Sequence, residues 1–204
     1  MENLKKIGIM GGTFNPIHNG HLALAARAYE QFKLDQILFM PSKNPPHKEL
    51  KTIISDKHRV DMVSLAISDI PDFVLSTLEL ERGGTTYTVD TLDYLTKTEK
   101  DKMFYFILGA DSLFELEDWL EPARIMEMAK IIVASRNTLS NENITERIQY
   151  LNSTYNTNIE LIEMPPIDIS SRHIRECIKN HHSICNYVPK PVEDYIYENN
   201  LYRT

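Results

Sequence analysis

Positive charge is the first thing this sequence is short of. Its 22 Lys and Arg stand against 29 Asp and Glu, a net charge of −7 over 204 residues. A surface of that sign repels polyanions, so no nucleic-acid partner is expected, although a local basic cluster could still hold a small anion. Cysteine is scarce as well. Cys177 and Cys185 alone give no disulfide framework, and reduced thiols in a cytoplasmic protein are the expectation. No apolar run approaches the roughly 18 residues of a membrane span, so no membrane association is expected. Gly11-Gly12 interrupt the N-terminal apolar run long before it could serve as a signal peptide. The spacing of Cys177, His181, His182 and Cys185 matches no common zinc pattern, and no metal site is expected there. There is no internal repeat and no low-complexity segment. What remains is ordinary: 42% hydrophobic and 25% charged residues, suited to one globular domain spanning 1–204.

Against that plain background one stretch stands out, Ile7-Gly8-Ile9-Met10-Gly11-Gly12-Thr13-Phe14-Asn15-Pro16-Ile17-His18-Asn19-Gly20-His21. The apolar start without polar alternation reads as a buried strand of a parallel sheet. Gly11 and Gly12 lack Cβ, so an anion could approach their backbone closely and the chain could turn through positive φ. Pro16 disfavours helix at Ile17, which predicts a helix starting near His18, with Leu22, Ala25, Ala26 and Tyr29 as its apolar face. A helix start beyond a strand end offers N–H groups and a positive dipole end to phosphate. His18 and His21, three apart, point to the same side, and a neutral imidazole still donates one hydrogen bond.

The rest of the chain alternates strand-like runs with helical patterns, the sequence form of a doubly wound α/β fold with a mostly parallel sheet. Further strands are expected at Gln36–Met40, Phe73–Leu78, Phe104–Leu108, Ile131–Ala134 and, as an edge, Ile159–Ile162. Helices are expected over Ser55–Ile67, after the turn Gly83-Gly84-Thr85-Thr86-Tyr87-Thr88, and over Pro189–Tyr202. Polar residues 137–158 suit a surface loop with one modest helix, and 165–204 form a small C-terminal helical part. The loop from Ser42 to Lys48 and Asp111 after Gly109 fall at the carboxyl ends of strands, the edge where open α/β sheets bind ligands. The single tryptophan, Trp119, sits between acids and a proline, which suits a stacking surface.

A second chemistry-bearing stretch is Ile169-Ser170-Ser171-Arg172-His173-Ile174-Arg175. Consecutive hydroxyls at a helix start are good N-caps, and they also suit a phosphate clamp. Arg172 and Arg175 in one turn oppose the helix dipole unless an anion joins them, and Arg meets phosphate with a planar fork.

Gly11-Gly12-x-Phe14-x-Pro16-x-His18-x-Gly20-His21 resembles the signature of the nucleotidyltransferase superfamily with the His-x-Gly-His motif. Together with Ile169-Ser170-Ser171-x-x-Ile174-Arg175, Pro45-Pro46-His47-Lys48, Thr86-Tyr87-Thr88-x-x-Thr91, Gly109-x-Asp111, Trp119 and Val188-Pro189-x-x-Val192-x-x-Tyr195-Ile196 with Asn200-Leu201-Tyr202, the chain is similar end to end to bacterial nicotinate-mononucleotide adenylyltransferases. The resemblance implies a Rossmann-like nucleotidyltransferase fold. It implies adenylyl transfer from ATP to nicotinate mononucleotide, with Mg²⁺ carried on ATP and no dedicated carboxylate cage. Around ATP it places Gly11, Gly12, Phe14, His18, His21, Asp111, Ser170, Ser171 and Arg175, with His18, His21 and Arg175 catalytic. Around the mononucleotide it places Asn44, Lys48, Thr86, Tyr87, Trp119 and Arg136. Arg172 departs from the family's usual Thr or Ser. A nicotinamide mononucleotide or phosphopantetheine acceptor, or a nucleotide sensor without turnover, are the rival readings; a homo-oligomer is compatible with all of them.

Overall fold

The computed structural model describes residues 4–43, 53–134, 141–165 and 167–203. Its frame is a six-stranded sheet in the order β3-β2-β1-β4-β5-β6, every neighbouring pair parallel. The strands are β1 (Lys5–Gly12), β2 (Gln36–Pro41), β3 (Phe73–Leu75), β4 (Lys102–Gly109), β5 (Lys130–Ala134) and β6 (Glu160–Ile162). The helices are α1 (Asn19–Phe32), α2 (Asp56–Ile67), α3 (Leu78–Arg82), α4 (Thr88–Thr98), α5 (Ala110–Glu115), α6 (Pro122–Met128), α7 (Asn141–Tyr155), α8 (Ser171–Lys179) and α9 (Lys190–Glu198). The doubly wound expectation therefore holds, and the strand order reverses between β1 and β4.

Side-chain alternation along β4 explains why both faces need cover. Phe104, Phe106 and Leu108 pack with Val89, Leu92, Leu113, Ile125 and Leu151 on one face. Tyr105 and Ile107 turn to the other, where they join Ala25, Met62, Ile174 and Val192. Each such fully buried side chain contributes about 1.5–3 kcal/mol, so a continuous apolar run such as Phe104–Leu108 is stable only between two helical layers. Helices α8 and α9 share that second cluster with α1 and α2, which ties the C-terminal part to the sheet. Gly8 is needed for the packing of Leu34 and Ile37, since a Cβ there would stand 2.9 and 2.5 Å from their Cδ1 atoms.

Three elements differ from expectation. The third strand stops at Leu75, and Leu78 opens α3, where the Thr77 hydroxyl bonds the Glu81 carboxylate. Helix α7 runs for 15 residues because Ile144 and Leu151, two turns apart, are buried against the sheet. Helix α9 ends at Glu198 rather than at Tyr202. Asn200 adopts φ 52° and the Leu201 N–H closes back on the Ile196 carbonyl at 3.0 Å, an asparagine-tolerated helix stop. That reversal turns Leu201 into the core and Tyr202 toward the β1–α1 loop.

Candidate active site

Strand β1 delivers its carboxyl end to the middle of the sheet, and the loop Thr13–Ile17 carries the chain from there into α1. Gly11 and Gly12 are still strand residues, paired with Met40 and Pro41, so the expected glycine turn through positive φ does not occur. The left-handed residue is Phe14, at φ 48°, with its ring buried beside Phe39. Phe14 therefore has only its backbone to offer a ligand. Gly11 is exposed at the strand end and leaves the backbone approachable there.

His18 is the extended residue that precedes α1, buried to 4% exposure. Its backbone N–H donates to His21 Nδ1 at 3.3 Å. An Nδ1 that accepts leaves the His21 proton on Nε2, so the neutral ring keeps a donor at its far edge. The two rings stack at 3.6 Å between centroids, and the Phe14 ring meets His21 edge-on at 5.1 Å. Gly20 permits the stack, because a Cβ at that position would lie 3.1 Å from His18 Nδ1. Not every N–H of this helix start is open: that of Asn19 donates to the Tyr187 carbonyl at 2.8 Å.

Helix α8 begins beside the same loop. The Ser171 hydroxyl donates to the Pro16 carbonyl at 2.8 Å, and Arg175 Nη1 donates to the Asn15 carbonyl at 2.8 Å. Two helix starts more than 150 residues apart thus meet across one turn of chain. Ser170 is the cap of α8, its Oγ accepting the His173 N–H at 3.2 Å. Arg172 does not share the direction of Arg175, contrary to the expectation from spacing; it is 84% exposed and pairs with Glu176 at 3.8 Å.

Between these elements lies a cleft lined by His18, His21, Gly109, Ala134, Met164 and Ile169 among others. It opens at the carboxyl ends of β4 and β5, next to the β1–β4 reversal, which is the place an open α/β sheet reserves for ligands. Asp111 stands there in the first turn of α5, exposed to solvent.

Thr86, Tyr87 and Trp119 belong to elements on the opposite face of the sheet from α1. Tyr87 precedes α4 and is 37% exposed, while Thr86 is buried. Trp119 follows a single 3-10 turn, Leu116–Asp118, and lies half-buried with its ring edge-on to Phe106 at 6.1 Å. Its Nε1 is buried with no hydrogen-bond partner among the described residues, a donor of the kind that buried sites keep for a ligand or water. Below this group, burial pushes the Glu79 carboxyl up against the opposing pull of the Thr91 and Thr86 hydroxyls and of Arg82; Thr91 Oγ1 donates to Glu79 at 2.9 Å and accepts from Arg82 at 3.1 Å. Asn44, Lys48 and Arg136 lie outside the described residues.

Sequence reasoning gave no role to Asn15, which lies in the loop, or to Arg59 and Tyr202, which bond to it, although Tyr202 was among the residues that carry the resemblance. Arg59 had a legible signal: it shares the buried face of α2 with Met62, Val63 and Ala66, where a cation is out of place.

The cytidylyltransferase-like family matches residues 9–177, which sets the class as a nucleotidyltransferase. A probable nicotinate-nucleotide adenylyltransferase of Lachnoclostridium phytofermentans is 48% identical over 98% of this chain and 100% of its own length. One of Clostridium botulinum (strain Alaska E43 / Type E3) is 41% identical over 98% of this chain and 99% of its own. The chain belongs to the family of nicotinate-nucleotide adenylyltransferases. Among solved structures, the nicotinic acid mononucleotide adenylyltransferase of Plasmodium falciparum complexed with NaAD superposes with a TM-score of 0.80 over 97% of both chains, at 23% identity, a likeness of fold.

Proposed function

We propose that this protein transfers the adenylyl group of MgATP to nicotinate mononucleotide, giving nicotinate adenine dinucleotide and pyrophosphate. A phosphate oxygen of the mononucleotide attacks the α-phosphorus in line. The bond from that phosphorus to the α,β-bridging oxygen breaks, and pyrophosphate leaves with the electron pair. The attacking phosphate is already ionised, so the protein's task is to position and to stabilise charge rather than to remove a proton.

The observation that carries the proposal is the meeting of the α1 and α8 starts over Asn15 and Pro16. One triphosphate spanning both would meet the Nε2–H of His21 and the His18 ring near its α- and β-phosphates. Ser170, Ser171 and the remaining N–H groups of Arg175 would meet its outer phosphates. Donors fixed where charge develops lower the barrier without reorganising during the reaction. Gly11 and Gly12 leave room beside the phosphates, and Asp111 suits a ribose hydroxyl. Trp119 would stack on the pyridinium ring, with Thr86 and Tyr87 beside the ring carboxylate and Asn44, Lys48 and Arg136 toward the acceptor phosphate. Mg²⁺ arrives as part of the MgATP substrate. The free thiols Cys177 and Cys185 suit a reducing compartment, and we assign the enzyme to the cytoplasm.

The test is pyrophosphate release with ATP, Mg²⁺ and each of nicotinate mononucleotide, nicotinamide mononucleotide and phosphopantetheine. The highest kcat/KM is expected with nicotinate mononucleotide. Preference for either other acceptor would replace the proposed substrate, and no release with any would overturn the enzymatic reading.

A further inference from the structure

Every residue of the loop Thr13–Ile17 is buried, and side chains from elsewhere in the chain hold it in place. Arg59, with no exposed surface, reaches from α2 to the Thr13 carbonyl with Nη1 at 2.8 Å, and its Nη2 binds Asp56 Oδ1 at 2.6 Å. Asn15 is held twice over. Its backbone carbonyl accepts from Arg175, and its Oδ1 accepts the Tyr202 hydroxyl at 3.0 Å and the Ile54 N–H at 3.4 Å. Tyr202 thus bonds a residue 187 positions before it.

Cost argues that this arrangement does more than hold the fold together. Taking a guanidinium out of water is expensive, and an apolar residue of similar volume is often at least as stable in its place. Asp56, the carboxylate paired with Arg59, is itself 41% exposed and offers limited compensation. The left-handed Phe14 adds local backbone strain that its surroundings must hold. What the loop gains is a fixed path from Gly12 to His18, with the carbonyls of Thr13, Asn15 and Pro16 each occupied by a donor. Burial raises the Tyr202 hydroxyl, against the pull of Arg175 and Arg59, so it stays protonated and donating at neutral pH.

We propose that Arg59 and Tyr202 are positioning residues for adenylyl transfer, locking Thr13–Ile17 so that His18 and His21 face the triphosphate, and that the closing turn Leu201–Tyr202 is part of the working site. This rests on the reading that the histidine pair serves the triphosphate. A second tie keeps the two residues in step: Tyr195 of α9 bonds His58 Nδ1 at 2.9 Å and donates to Asp61 Oδ2 at 2.7 Å, both on α2. Helix α2, which carries Arg59, and helix α9, which leads to Tyr202, are thereby joined beside the loop.

The test compares Tyr202→Phe, Arg59→Lys and, as a control, Leu151→Ala, a core change in α7 on the other face of the sheet. Tyr202→Phe should lower kcat about tenfold and Arg59→Lys about thirtyfold, with both KM values within about twofold, since small misplacements of reacting groups cost rate rather than binding. Leu151→Ala should lower Tm at least as much while kcat stays within about twofold of the unaltered enzyme. Imidazole ¹⁵N spectra supply a readout without turnover: in Tyr202→Phe the His18 and His21 signals should move while those of exposed His181 and His182 stay. Unchanged kcat and unchanged His18 and His21 signals in Tyr202→Phe would overturn the proposal, as would rate losses that only track Tm. Should Arg59→Lys fail to fold, Tyr202→Phe, which removes one oxygen, decides alone. If the unaltered protein turned over no acceptor, the functional reading would fail and the imidazole spectra would still decide the positioning.

Discussion

The hydroxyl of Ser171 lies 2.8 Å from the carbonyl oxygen of Pro16, a bond between residues 155 positions apart. It joins the start of the last-but-one helix to the loop that leads into the first. Whatever anion meets His18 and His21 is therefore within reach of α8 as well. Removing that hydroxyl in Ser171→Ala leaves a part-buried carbonyl without its donor, at a cost of about 1 kcal/mol. The melting temperature should fall by about 2–4 °C, and KM for ATP should rise, measured by calorimetry and by initial rates.

His21→Ala removes the Nε2 donor that the Nδ1 contact with the His18 N–H defines. If His21 stabilises charge in the transition state, kcat should drop by about 100-fold or more. Near-normal turnover in the purified variant would remove His21 from the catalytic set.

Trp119→Ala should act on the acceptor side. Loss of an indole face under a pyridinium ring costs on the order of 1 kcal/mol, so KM for nicotinate mononucleotide should rise about fivefold or more. KM for ATP should stay near its original value; a change confined to ATP would move Trp119 to the other substrate.

The sheet was legible from residue order wherever apolar residues ran without alternation, as in Ile7–Met10 and Phe104–Leu108, because only a strand buried on both faces needs such a run. The helix after His18 was legible in the spacing of Leu22, Ala25, Ala26 and Tyr29, whereas Pro16 restricts Asn15 before it rather than Ile17 after it. What escaped was set at a distance. Arg172 and Arg175 share a helical turn, yet Arg175 is drawn in by a carbonyl 160 positions away while Arg172 faces solvent. Phe14 takes the positive φ that Gly11 and Gly12 were free to take, because the pairing of β1 with β2 runs through both glycines. Tyr202 looked like the end of a helix; the left-handed Asn200 that turns it back to Asn15 is visible only once Leu201 has a core to enter.

Glu79 gives the pH prediction. Burial raises its carboxyl above the ordinary 4.5, so the folded state holds the proton more tightly than the unfolded chain. Stability from this group is then full below the unfolded value and is lost as pH rises through the raised folded value. Glu79→Gln, which keeps an oxygen to accept from Thr91, should equal or exceed the unaltered protein in Tm at pH 7. That advantage should vanish at pH 4, where the native carboxyl is protonated. An advantage that grows on acidification would contradict the assignment, and paired melts at the two pH values check it.

The claim that two helix starts serve one triphosphate is tested most directly by backbone amide shifts on titration with magnesium and α,β-methylene ATP. The account predicts that the amides of residues 18–21 and of 170–175 move together along one saturation curve. Movement of only one of those groups at saturating analogue would contradict it.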